Sequence, residues 1–212
     1  MNKENKDIFL KKLILIAFAL SGMTALIYEV VWARPLQLIF GSTIYAVSTI
    51  LTTFFIGFTL GSYIFRNLAD RTKNPEKLFA FIELGIGLYG LIILWLFSIL
   101  TPIYLSLDVV GLQFIQFFLL FLVIIIPATL FGATWPIANK IYIDSNKLGK
   151  DAGKLYSFNS FGSFVGPLAA GFLLIPLLGI KATAILVASI NIFIAITIFI
   201  FSRKEKGGED ES

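Results

Sequence analysis

Read from its first residue, the chain alternates long apolar runs with short polar connections, and no run shows the two-residue alternation of a strand. Six stretches, 13–32, 42–65, 78–100, 112–138, 155–178 and 182–201, each hold about 20 or more predominantly apolar residues. At about 1.5 Å of rise per residue, a helix of that length crosses a hydrocarbon layer about 30 Å thick. A transmembrane β-barrel would instead need alternating segments of about ten residues. The pattern therefore predicts six membrane-crossing α-helices. The first is too long for a signal-peptide core and has no small-residue cleavage site after it, so it is expected to stay in the chain.

Composition agrees: the 212 residues are 58% hydrophobic and 14% charged, with a mean hydropathy of +0.89, far outside the soluble range. Cysteine and histidine are both absent. That excludes disulfides, thiolate or imidazole metal sites and histidine acid–base chemistry, and no metal or cofactor is expected.

The net charge of +4 acquires its meaning from distribution. Of 17 Lys and Arg residues, 15 fall in the N-terminus, in connections 66–77 and 139–154, and in the tail; only Arg34 and Lys181 fall in the alternate connections. This positive-inside bias predicts a multi-pass protein of the cell membrane with both termini cytoplasmic, and argues against nucleic acid as a partner. Three regions follow: a basic N-terminus 1–12, a membrane domain 13–201 and a polar tail, "SRKEKGGEDES", expected to be disordered.

Helices in lipid adhere through close packing and polar contacts, so small residues mark buried faces. The second span carries Ala46, Thr49, Thr53, Gly57 and Gly61 at three- and four-residue steps. The fifth carries Asn159, Gly162, Gly166 and Ala170, and the sixth Ala184, Ala188 and Asn191. Ser21, Gly22, Ala25 and Glu29 on the first span, and Glu83, Gly87 and Gly90 on the third, put both acids on faces expected to point into the bundle. Pro127, Pro136, Pro167 and Pro176 predict kinks with freed carbonyls.

An acid inside a membrane span is a functional candidate by default. Glu29 lies about 24 Å along its helix from the cytoplasmic end and Glu83 about 8 Å along its own, too far apart for a paired-carboxylate site. For Glu29 two readings stand together. One is an interfacial pair with Arg34, where Pro35 breaks the helix, inside an aromatic belt of Tyr28, Trp32 and Tyr45. The other is an organic-cation site using the same rings. Glu83 serves the inner side similarly or pairs with Arg66 or Lys77. The candidate ligand-binding residues are thus Glu29, Trp32, Arg34, Tyr45, Glu83 and Asn159.

The stretch "SGMTALIYEVVWARPLQLIFGSTIYAVSTILTTFFIGFTLGS", followed in order by "IELGIGLYGL", "FGATWPIANK" and "GKDAGKLYSFNSFGSFVGPLAAGFLLIPLLGIKATAILVASINI", resembles the membrane domain of fused spermidine-synthase-like membrane proteins over residues 13–200. "LADRTKNPEK" is similar to the connection between the second and third helices of major-facilitator transporters, without the usual Gly-Arg-Arg continuation. The resemblance implies a six-transmembrane-helix bundle like half of a major-facilitator fold. In that family the bundle precedes a cytoplasmic aminopropyltransferase-like domain of Rossmann type using decarboxylated S-adenosylmethionine. No glycine-rich nucleotide-binding turn occurs in this sequence, so enzyme activity is not carried over to it. The leading expectation is a membrane subunit that anchors, or feeds an amine or lipid-soluble substrate to, a separate cytoplasmic aminopropyltransferase-like partner. The rival is a small transporter of organic cations or polyamines acting as a homo-oligomer of two half-bundles.

Overall fold

The computed structural model describes residues 3–106 and 113–206, and among these every element is helical. The order is α1 (Lys3–Phe40), α2 (Thr43–Arg71), α3 (Pro75–Ser106), α4 (Gln113–Tyr142), a 3-10 turn (Ser145–Lys147), α5 (Leu148–Ala169), a π turn (Ala170–Leu174) and α6 (Ile175–Lys206). Five stretches are long and apolar enough to cross a membrane, the last of them running Ser145–Ser202. That last stretch is not one straight rod. Gly179 lies inside α6 with φ 79° and ψ 170°, a conformation that only glycine adopts without strain.

Contacts to α1 show what Gly179 does. Asn159 of α5 donates to the Phe18 carbonyl, and Asn191 of α6 donates to the Thr24 hydroxyl. Thirty-two residues of continuous helix would hold the two asparagines about 48 Å apart, whereas Phe18 and Thr24 are about 9 Å apart along α1. The chain folds back at Gly179, and α6 returns beside α1.

α1 is the central helix, packed against α2, α3, α4, α5 and α6. Around it α2 lies along α4, α5 along α1 and α3 along α6. The small-residue stripes form these seams. A Cβ on Gly57 or Gly61 would run into Ala128, Thr129 and Gly132–Ala133 backbone of α4. One on Gly162 would strike the Ala19 carbonyl, and one on Gly166 the Met23 carbonyl. On the outside, Phe55, Trp95, Phe161 and Phe172 are exposed, as side chains facing acyl tails should be.

The prolines of α4 show how the freed carbonyls are satisfied. Pro136 cannot donate to Gly132, and the Ser62 hydroxyl of α2 donates to that carbonyl at 2.9 Å. Pro127 likewise leaves Val123 free, and the Tyr89 hydroxyl of α3 takes it at 2.8 Å. Both neighbouring helices are thereby stapled to α4 at its weak points.

Pro35 behaves differently from expectation. The first helix does not break there but runs on to Phe40, because one missing donor near a helix end costs a single bond; Gly41, at φ 60°, ends it instead. The expected outer connection 33–41 is therefore mostly helix, and the connection 139–154 is shortened by α4 reaching Tyr142 and α5 starting at Leu148. Of the second outer connection, expected over 101–111, residues 101–106 belong to α3 and the rest lie outside the described residues, as does the end of the tail.

Candidate functional site

Between α1, α2, α4 and α5 lies a cleft of about 350 Å³. One wall is aromatic: Phe18 packs on Trp135 at 5.6 Å between ring centroids, and Tyr156 meets Trp135 edge-on at 6.0 Å. Phe58 and Phe131 extend that surface. Besides the ring hydroxyl of Tyr156, the polar groups are Ser21, Ser62, Thr134, Asn159 and Ser163, and no lining residue is charged. Gly22 and Gly132 bring backbone to the rim; a Cβ on Gly22 would stand 2.5 Å from Asn159 Nδ2 and 2.8 Å from Ser163 Oγ.

Asn159 holds its place through an Nδ2 bond of 2.8 Å to the Phe18 carbonyl. Thr134 and Ser62 are tied to the backbone through Phe131 and Gly132. The arrangement offers flat apolar surface with amide and hydroxyl groups at fixed points, the usual make-up of a small-molecule pocket.

On the far side of α1 the polar groups are sealed. Glu83 of α3 is fully buried, and its Oε2 accepts from Asn191 Nδ2 at 2.8 Å. Asn191 Nδ2 also donates to Thr24 Oγ1 at 3.0 Å, and Thr24 Oγ1 donates to the Ser21 carbonyl at 2.9 Å. One turn further along α1, Tyr28 stacks on Trp32 at 5.0 Å with its hydroxyl against Gly90, and Trp32 packs on Phe54. The Tyr28 hydroxyl and the Trp32 Nε1 have no partner among the described residues.

Of the six candidates from sequence, only Asn159 lines the cleft. Glu83 points into the bundle as expected, but its partner is an amide and not Arg66 or Lys77; among the described residues it forms no ion pair. Glu29 is half-buried in a smaller hollow between α1 and α2 with Val30, Ala33, Val47 and Ile50. Its expected partner Arg34 is exposed and makes no ion pair with it, since five residues place the two about 140° apart around a helix. Tyr28 and Trp32, one turn apart, stack on each other and are fully buried, whereas Glu29 opens on the α1–α2 hollow. Tyr45 is exposed, its ring 6.4 Å from Phe40.

Sequence reading missed Ser62, Thr134, Trp135, Tyr156 and Ser163. For Ser62 a signal existed: Pro136 strips a donor from Gly132, and a hydroxyl on a facing helix is the ready replacement. Among the described residues no group of three His, Cys, Asp or Glu side chains is placed to hold a metal ion.

A bundle of long apolar helices around a neutral, aromatic-walled cleft defines a multi-pass membrane protein of transporter-like architecture. The profile of the Major Facilitator Superfamily matches residues 7–212, nearly the whole chain, and the chain belongs to that superfamily. No curated protein and no solved structure is significantly similar to it.

Proposed function

We propose that the chain carries a small neutral or amphipathic molecule through the cleft between α1, α2, α4 and α5. The observation that carries this reading is the lining: aromatic and apolar walls, six hydroxyl or amide side chains with Tyr156 counted, and no formal charge. A polyamine would need carboxylates to balance its charges, and both candidate acids stand elsewhere, Glu29 in the α1–α2 hollow and Glu83 behind α1. In this reading the chain crosses the membrane six times with both termini cytoplasmic. The reversal at Gly179 and the placement of 15 of 17 basic residues support that count and direction. A second copy supplies the other half of the pathway.

Flux into proteoliposomes and quenching of tryptophan fluorescence, with Trp135→Phe as the control for the cleft, test the reading. Neutral hydroxylated aromatic compounds should bind saturably and enter, and spermidine should do neither. Asn159→Ala should weaken binding by about 1 kcal/mol, up to roughly tenfold, if the amide bonds the ligand. Saturable spermidine uptake that survives Asn159→Ala would replace this reading with a polyamine carrier.

One observation favours a second reading. Lys147, Lys150 and Lys154 are exposed together at the start of α5, a surface suited to an acidic partner such as a separate aminopropyltransferase-like enzyme. Pull-down of the tagged chain should recover that enzyme; repeated recovery of the chain alone counts against it.

A further inference from the structure

The sealed cluster contains an imbalance that the transport reading does not use. Asn191 Nδ2 spends its two hydrogens on Glu83 Oε2 and Thr24 Oγ1, and Thr24 spends its own on the Ser21 carbonyl. Two atoms of the same carboxyl–amide pair are left over, Glu83 Oε1 and Asn191 Oδ1, both buried and both without a partner among the described residues. Each is an acceptor; the hydroxyls of Ser21 and Tyr28 also face the carboxyl, yet neither bonds Oε1 or Asn191 Oδ1 among the described residues.

Nor, among the described residues, is there a cation to balance the carboxylate. From α1 the groups facing it are Ser21, Thr24 and Tyr28, all neutral, while Glu29 lies on the α2 side. From α6 the facing group is Asn191; Lys181 is exposed and about 15 Å earlier on that helix. α4 brings Val123 and its neighbours, with Lys140 exposed near its far end, and on α3 itself Lys77 is nearly two turns away. An ionised Glu83 would be a lone charge among apolar helices, the arrangement that proteins avoid most consistently.

One proton removes both faults. Placed on Oε1, it turns that atom from an unmatched acceptor into a donor aimed at Asn191 Oδ1, while Oε2 keeps its bond from Nδ2. The pair then closes as a neutral acid–amide ring with two hydrogen bonds, and no bond of the observed cluster is lost. A hard metal cation suits the place less well, because it asks for about six oxygens and two are free. We infer that Glu83 is a proton-binding site whose proton is shared with Asn191.

Ser21 joins this site to the cleft, since it lines the cleft while its carbonyl terminates the hydrogen-bond chain from Glu83. Loss of the proton therefore disturbs the wall against which a ligand would sit. That coupling rests on the transporter reading; the proton site itself does not.

Infrared spectroscopy of the full chain in lipid nanodiscs at neutral pH tests the site. The parent should show a neutral carboxylic-acid carbonyl band that is absent from Glu83→Gln and moves in heavy water. In Asn191→Leu the same band should shift to higher frequency as the amide partner is lost. If Glu83→Gln does not fold, the Asn191→Leu shift on its own assigns the band. Loss of carboxylate bands alone in Glu83→Gln, with no neutral-acid band in the parent, overturns the proposal. A silent flux assay strikes the transporter reading and leaves this measurement standing, so the two can fail separately.

Discussion

The two sides of α1 treat polar groups in opposite ways. Toward α2, α4 and α5 the hydroxyls and amides border an open cleft and no lining residue is charged; toward α3 and α6 a carboxyl is shut in with an amide and a threonine and reaches no space at all. The contrast teaches that an acid in a span is not by itself a substrate site. Exposed to a cleft, a carboxylate would select cations; enclosed as Glu83 is, it specifies how three helices meet and holds a proton.

Changes on either side should separate these roles. The largest effect is expected from Gly162→Leu, which forces a branched side chain into the Ala19 carbonyl where α5 lies on α1. Overpacking of that kind costs about 1–3 kcal/mol where neighbours can shift, and more here because backbone is the obstacle. Size-exclusion profiles in detergent should show loss of monodisperse protein, and a profile like the parent's would mean the seam is loose.

Next comes Thr24→Val on the sealed side. It keeps the shape but removes the acceptor of one Asn191 hydrogen, stranding a buried donor at a cost of about 1–3 kcal/mol. Thermal unfolding followed by fluorescence should report a lower midpoint, while ligand binding at the cleft changes little. An unchanged midpoint would show that the asparagine finds another partner.

The smallest effect is expected from Glu29→Gln. The side chain is half-buried in the α1–α2 hollow, makes no ion pair and borders neither the cleft nor the sealed cluster. Stability should move by less than about 0.5 kcal/mol, as for a surface substitution away from special features, and flux should persist. Abolished flux would restore this acid as a working residue.

Much of the architecture was legible in the residue pattern, for physical reasons that apply before any tertiary contact forms. Length and apolarity mark the spans, and glycine spacing marks the seams, because only a missing side chain lets two backbones approach in lipid. The stripes on α2 and α6 lie buried where they were expected, as do Gly162, Gly166 and Ala170, while Asn159 of the same stripe is half-buried at the cleft. The site was less legible. Proximity in sequence suggested pairing Glu29 with Arg34, but helical rotation separates residues five apart. Glu83 and Asn191 were each placed on inward faces, yet their partnership depends on which helix follows which around α1, and that order is not written in either segment. The aromatic cleft was harder still, since Phe18, Trp135 and Tyr156 come from three helices and resemble any other lipid-soluble residue until the bundle closes.

The hydroxyl staples on α4 carry one more implication. Each proline subtracts a donor and a residue on an adjoining helix supplies it, Ser62 for Gly132 and Tyr89 for Val123, so each of these points is held jointly by two segments distant in sequence. Restoring an amide by Pro136→Ala would give the Gly132 carbonyl a second donor, and the further loss of Ser62 would then cost less than it does beside the proline. Such pairs tie the drift of one helix to that of its neighbour, and they leave α4 free to articulate only where its companions allow.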